Sequence, residues 1–255
     1  MSKPTIDLTG KKVLITGGSR GLGRSMALGF AAAGADVAIA SRKLESCEET
    51  VKEIEALGVR GLARACHAGD WDQVTALADD VWAAFGRIDI LINNAGMSPL
   101  YDSPDSITEA LYDKVMDVNL KGPFRLTAHV GEMMQADGKG GSIINISSLA
   151  AIRPRRDIIP YAAAKAGLNA MTEGMANALG PNVRVNCILP GPFLTDISKA
   201  WDMEKFNQRA GERIALERAG EAEEIVGAAL YFGSDQSSYT TGAILDVSGG
   251  RAILP

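Results

Sequence analysis

The sequence predicts an α/β fold, a doubly wound parallel sheet forming the middle of a three-layer α/β/α sandwich. Three observations lead there. Short apolar runs alternate with longer stretches of helical period along the whole chain. The short runs are near-continuously apolar rather than alternating, which marks strands buried on both faces. The first of them passes directly into a glycine-rich turn and then a helix, the opening of many nucleotide-binding sheets.

The elements follow in order. Residues 12–16 are predicted as the first strand, and 21–33 as an Ala-rich helix stopped by Gly34. A second strand is predicted over 36–40 and a charged helix over 44–57, ended by Gly58. The third strand, 59–66, is weakened by Gly61; a helix over 72–85 closes on Gly86, and 88–92 reads as a strong fourth strand. The second half repeats the rhythm. A helical pattern runs over 106–135, bent or broken near Gly122-Pro123, because proline removes a helical donor. Strands at 142–146, 183–188 and 243–247 alternate with helices at 159–179 and 221–232. Parallel neighbours require crossover helices, which cover both faces. No linker divides the chain, so a single domain over 1–255 is expected. Residues 190–220 fit the rhythm least and are expected to be an insertion that covers the substrate.

Composition narrows the function. Apolar residues make up 46% of the chain, ample for a sizeable core, and the net charge is -5. An acidic surface repels phosphate backbones, which excludes nucleic acid as an expected partner. No run approaches the roughly 18 apolar residues of a membrane span, so no membrane partner is expected. The first residues lack the apolar core of a signal peptide. The three cysteines, Cys47, Cys66 and Cys187, form no paired motif, and the two histidines, His67 and His129, fit no metal-ligand pattern. Together these features predict a cytoplasmic protein with reduced thiols and no metal.

The glycine turn is Thr16-Gly17-Gly18-Ser19-Arg20-Gly21-Leu22-Gly23. Glycines at Gly17, Gly21 and Gly23 allow bare backbone to approach a pyrophosphate. The N–H groups and positive dipole of the following helix then face the phosphates. A Walker loop would need Gly-Lys-Ser/Thr, which is absent. The turn therefore predicts a dinucleotide site of the Rossmann type, with Ser19, Arg20 and Leu22 also at the ligand.

Tyr161 and Lys165 stand four residues apart in a predicted helix, on one face. A free phenol, with a pKa of about 10, is a poor acid–base group at neutral pH. Lowering that value by roughly three takes about 4 kcal/mol, and a neighbouring ammonium contributes in this direction. Ser147 and Ser148 end the strand 142–146, at the carboxyl edge where open α/β sheets bind ligands. A hydroxyl there can hold a substrate oxygen against the tyrosine. Asn93-Asn94-Ala95-Gly96 ends the preceding strand at the same edge.

These motifs, taken together, make the chain similar to the short-chain dehydrogenase/reductase family, from Val13 to Gly250. The glycine turn resembles that family's cofactor loop, and Asn93-Asn94-Ala95-Gly96 its sheet-stabilising motif. Ser148 precedes Tyr161 by thirteen residues, the family's spacing, which selects Ser148 over Ser147. Asn119 resembles the helix asparagine that holds a proton-relay water. Pro190 and Gly191, with Phe193 and Thr195, resemble the segment that embraces the nicotinamide. The resemblance implies that Tyr161 is the general acid or base and that Ser148 polarises the carbonyl. It implies that Lys165 lowers the tyrosine pKa and binds the nicotinamide ribose, and that Asn119 links Lys165 to solvent. Asn94, Ala95 and Gly96 fall beside the cofactor, as do Tyr161 and Lys165 themselves. One departure stands out: family members often carry an acidic residue near adenine, where this chain has His67, so the backbone of His67 and Ala68 is expected to make that contact.

The expected cofactor is NADP(H), with NAD(H) as the alternative. An NAD site commonly has an acidic residue just after the second strand. Here that position leads into Ser41-Arg42-Lys43, with Arg20 nearby in the glycine turn, while Asp36 lies at the wrong end of the strand. The expected substrate is a small-molecule carbonyl or alcohol. The resemblance also implies a homo-oligomer, most often a tetramer, in which the helices at 106–135 and 159–179 pair through residues such as Ala163, Ala166, Ala170 and Met171. Arg153, Arg155 and Arg156 lie between Ser148 and Tyr161 and are candidates for steering an anionic substrate. Two other classes compete: a catalytically silent nucleotide sensor, and a methyltransferase, in which the Tyr–Lys pair has no task.

Overall fold

The computed structural model describes residues 6–196, 198 and 201–250. Seven parallel strands form the central sheet: β1 (Lys12–Thr16), β2 (Asp36–Ser41), β3 (Gly61–Ala65), β4 (Ile90–Asn93), β5 (Gly141–Ile146), β6 (Val183–Pro190) and β9 (Ile244–Val247). Their spatial order is β3-β2-β1-β4-β5-β6-β9, reversing direction between β1 and β4. The switch point lies there, and its crevice is the ligand site expected of such sheets.

Successive strand residues feed two cores, as the twofold period of a strand requires. Val13, Ile15, Val37, Ile39, Ile90 and Ile92 join the core under α1 (Gly21–Ala32), α2 (Leu44–Ala56) and α8 (Val226–Gly233). Leu14, Ala38 and Leu91 point the other way, against α3 (Trp71–Phe85), α5 (Gly122–Ala136) and α6 (Ile159–Leu179). The predicted doubly wound sandwich is therefore the fold.

Two stretches differ in detail. The pattern at 106–135 divides into α4 (Glu109–Met116), a π-turn over Asp117–Lys121, and α5. Pro123 has no N–H to give, and Gly122 donates instead to Asp117 O, five residues back. The chain continues with a changed register rather than breaking. The stretch 190–220 carries β7 (Phe193–Leu194), α7 (Met203–Arg213) and β8 (Gly220–Glu221), with β7 and β8 pairing in a separate two-stranded sheet. Only Ala210 of α7 is buried, so the helix lies on the surface of the molecule. No described helix is long and apolar enough to cross a membrane.

Candidate active site

The carboxyl ends of β1 to β6 open into one cleft of about 880 Å³, near the upper end of the range for small-molecule and cofactor sites. Its floor at β1 is the glycine turn. Gly17 adopts a φ of 68°, a left-handed conformation that only glycine takes freely. A Cβ at Gly23 would stand 2.2 Å from Gly17 O and 2.5 Å from Asn94 Nδ2, so no side chain fits. Asn94 holds the turn from the neighbouring strand, its Nδ2 donating to Thr16 O at 3.0 Å and Gly17 O at 3.1 Å. Asn93 turns inward, donating to Thr127 Oγ1 and Asn145 Oδ1, both at 2.9 Å. Asn145 then donates to Thr172 Oγ1 on α6, so a buried polar chain ties that helix to the sheet.

The Ser, Tyr and Lys candidates converge beside this turn. Ser148 lies two residues after the end of β5 and starts a short helical turn by accepting from Ala150 N at 3.2 Å. Ser147 is buried and donates to Lys165 O at 3.2 Å, which leaves Ser148 as the hydroxyl available to a ligand. Tyr161 is the third residue of α6 and opens onto the cleft. Lys165, one turn later, is only 2% exposed and donates through Nζ to Ile146 O at 2.8 Å. Its Nζ lies 5.8 Å from the Tyr161 ring centroid.

Electrostatics here are dominated by burial. Enclosure pushes the Tyr161 phenol above its ordinary value, and a hydrogen bond with Ser148 pulls the other way. Enclosure lowers the Lys165 ammonium from 10.5 to about 8. Burial thus pushes both groups towards neutrality in the protein by itself. All three cysteines are buried and free, and burial raises Cys66 and Cys187 to about 11, so neither is a thiolate.

Asn119 lies fully buried in the π-turn, below the cleft wall. Its Nδ2 donates to Met97 O at 2.9 Å and Val115 O at 2.8 Å, and its Oδ1 accepts from Met97 N at 3.2 Å. The side chain thus anchors the loop after β4. A Cβ on Gly96 would lie 3.0 Å from Asn119 Oδ1 and 3.6 Å from Lys165 Nζ, so both side chains come close to that glycine.

The other cofactor candidates line the cleft: Ser19, Arg20, Gly21 and Leu22 at the turn; Ser41 and Arg42 after β2; His67 and Ala68 after β3; Ala95 and Gly96 after β4; and Pro190, Gly191, Phe193 and Thr195 after β6. The Ser41 hydroxyl donates to Lys43 O at 3.1 Å. Ala68 is held from behind, since a Cβ on Gly122 would stand 1.6 Å from its carbonyl oxygen. The three arginines of 153–156 do not line the cleft. Arg155 bonds to Asp157 instead. Residues that sequence reasoning missed include Met97, Ser98, Lys114, Val118 and Trp201. Lys114 and Val118 are four apart on α4 and the π-turn, one face that Asn119 signals indirectly. Trp201, stacked on Phe206 at 5.0 Å between centroids, had no local signal at all.

The chain is similar to known proteins along nearly its whole length. The family model described as Enoyl-(Acyl carrier protein) reductase matches residues 17–252. The 3-oxoacyl-[acyl-carrier-protein] reductase FabG of Thermotoga maritima is 37% identical over 251 residues, covering 96% of this chain and 99% of that protein. A structure described as a short-chain alcohol dehydrogenase from Sinorhizobium meliloti 1021 superposes with a TM-score of 0.93 at 36% identity, over 99% of this chain and all of the other. One from Agrobacterium tumefaciens, described as a 2-deoxy-d-gluconate 3-dehydrogenase with bound NADP, has a TM-score of 0.88 at 34% identity, over 98% of this chain and 100% of that one. A 7α-hydroxysteroid dehydrogenase complexed with NADH and 7-oxo glycochenodeoxycholic acid has a TM-score of 0.91 at 34% identity, covering 96% of this chain and 95% of that one. The chain belongs to the short-chain dehydrogenase/reductase family and is an oxidoreductase of that family.

Proposed function

We propose that the protein is an NADP(H)-dependent oxidoreductase acting on a carbonyl or the corresponding secondary alcohol. One observation carries this reading: Ser148, Tyr161 and Lys165 meet at one wall of the cleft whose floor is the glycine turn. The residues fit a nicotinamide dinucleotide. The turn admits backbone only, as the Gly23 contacts require, and bare N–H groups at the start of α1 suit a pyrophosphate. The loops after β2 and β3 take the adenosine end, and Lys165 with Pro190 and Gly191 the nicotinamide end. When bound, NADP(H) supplies or accepts the hydride.

The chain's own groups handle the oxygen and its proton. Ser148 donates to the substrate oxygen and fixes its direction. Tyr161 gives that oxygen a proton in reduction and takes one in oxidation. Its place in the first turn of α6 puts it at the positive end of the helix dipole, which favours the phenolate. Lys165 holds positive charge behind the ring, and the Asn119 region connects Lys165 to solvent. Phe193, Thr195 and Trp201 wall off the opposite side from water.

Preference for the phosphorylated cofactor rests on charge. Arg20 and Arg42 are exposed at the cleft rim, and neither pairs with a carboxylate among the described residues. Asp36, the acidic residue of β2, is bound to Lys12 at the opposite end of that strand. A 2′-phosphate would gain two guanidinium partners and meet no repulsion. A homo-oligomer, most simply a tetramer, fits the exposed Ala163, Ala166 and Ala170 along α6. A panel of ketones and secondary alcohols, followed at 340 nm with each nicotinamide, tests the reading. Catalytic efficiency equal or higher with NADH overturns the NADP preference. Light scattering that returns a monomer mass overturns the oligomer.

A further inference from the structure

We propose that Tyr101 is a positioning residue for the proton-transfer helix: its hydroxyl clamps the start of α6 and so fixes Tyr161 against the substrate wall. The inference rests on the function proposed above.

Helix α6 begins without a side-chain cap. Its cap residue is Ile158, which has no oxygen to offer the first N–H groups. Pro160 contributes no N–H, which removes one orphan donor. Ala162 N is satisfied by Ile158 O at 2.9 Å. Ile158 N donates to Arg155 O at 3.3 Å, and Ile159 N donates to the Tyr101 hydroxyl at 2.7 Å. The same hydroxyl donates its proton to Arg156 O at 3.0 Å. One phenol therefore takes the place of an N-cap and also closes the last turn of the loop from Ser148 to Tyr161. It does so from 58 and 55 residues away in sequence.

The other side of the clamp gives it a role in catalysis. Tyr101 belongs to the loop after β4, whose Met97 and Ser98 line the cleft. That loop is fixed at Met97 by Asn119, in both directions along its backbone. Its second anchor is Tyr101 on α6. The wall that faces the substrate thus hangs between the Asn119 turn and the helix that carries Tyr161. Cutting the second anchor frees the first turn of α6, where Tyr161 is the third residue. A frayed turn also removes the aligned N–H groups that favour the phenolate.

The experiment is Tyr101→Phe in the full chain, which keeps the ring and deletes both bonds. Amide exchange over residues 156–162 is measured without nicotinamide. Kinetics are then followed with NADPH on any carbonyl or alcohol that wild type converts. In wild type the Ile159 amide is protected. In the variant, exchange at Ile159 and at Ala162, whose amide bonds to Ile158 O, rises about fivefold, the equilibrium equivalent of one lost cap bond. The kcat falls by about tenfold through misplacement, with the KM for nicotinamide changed less than about twofold. The limb of the kcat pH profile that reports the phenol moves to higher pH. An unprotected Ile159 amide in wild type, or unchanged exchange in the variant, overturns the clamp. Faster exchange with kcat and pH profile unchanged overturns the positioning role. Wild type without any nicotinamide-linked turnover sinks the proposed function and the positioning role together, and the exchange result then still decides the clamp.

Discussion

Replacing Lys165 by Met should abolish turnover and yet leave the protein as stable as before, or more so, at neutral pH. The side chain is 2% exposed, and burial lowers its ammonium from 10.5 to about 8. That gap of about 2.5 is worth about 3 kcal/mol at 1.36 kcal/mol for each pH unit. Below about pH 8 the lysine is charged in the folded and unfolded chains alike, and the folded state carries the full cost. Between about 8 and 10.5 the unfolded chain keeps a proton that the folded chain releases, so stability rises with pH. Above 10.5 neither form is charged and the cost is gone. Methionine fills similar space without charge, but leaves Ile146 O without its donor, an offset of about 1–3 kcal/mol. The variant should therefore be up to about 2 kcal/mol more stable at neutral pH, and this advantage should shrink by about 2 kcal/mol on going to about pH 9.5. Urea unfolding of both proteins at the two pH values measures it, at one protein concentration and without nicotinamide, since either would add linkage. A difference between the two proteins that does not change with pH refutes the reasoning.

Further outcomes follow from the site. Tyr161→Phe should lower turnover by at least about a hundredfold while nicotinamide still binds, checked by fluorescence titration; near-normal turnover would exclude Tyr161 as the proton donor. Ser41→Asp with Arg42→Ala should reverse the preference towards NADH, read as the ratio of kcat/KM for the two nicotinamides. Trp201→Ala should raise substrate KM by about tenfold, or about 1.4 kcal/mol, with kcat less affected; an unchanged KM for every substrate would remove Trp201 from the substrate wall. Arg155→Ala should leave all KM values within about twofold, because Arg155 bonds to Asp157 and stands outside the cleft.

What the sequence made legible follows burial and locality. Strands such as β1 and β4 read clearly because both faces are buried, as Val13, Leu14, Ile15, Ile90, Leu91 and Ile92 show. Strand β3 is an edge whose residues are only partly buried, so its apolar signal was weak and its predicted bounds too wide. The change of register at Asp117–Lys121 was half legible: Gly122-Pro123 marked the place, but continuous helical period concealed that a π-turn would bridge it. The short-range motifs at Gly17 to Gly23 and Tyr161 to Lys165 were readable because their members share one turn or one helix. Trp201 lines a cleft that only the fold assembles around it, and Tyr101 reaches across 58 residues to Ile159. No local pattern could show either.

The site divides its polar groups by duty, and that division is the strongest physical argument for a ligand. Groups that hold the backbone have spent their donors: Asn94 gives both amide protons to carbonyls of the glycine turn, Asn119 gives both of its own to Met97 O and Val115 O, and Tyr101 gives its proton to Arg156 O. Groups on the inner wall keep capacity in reserve. Lys165 has three donors and uses one, on Ile146 O. Ser148 accepts from Ala150 N and keeps a proton for the Tyr161 oxygen or a substrate oxygen. Enclosing an ammonium and a phenol with so few partners is unfavourable, and burial accordingly pushes their pKa values in opposite directions. A core under selection for stability alone would replace such a pair with apolar side chains. A ligand with a ribose hydroxyl for Lys165 and an oxygen for Tyr161 and Ser148 would use the unspent donors and recover that cost. Nicotinamide binding should therefore stabilise wild type more than Lys165→Met at equal saturation. Equal increments in unfolding temperature for the two proteins, each measured at matched multiples of its own Kd, would mean that Lys165 takes no part in holding the ligand.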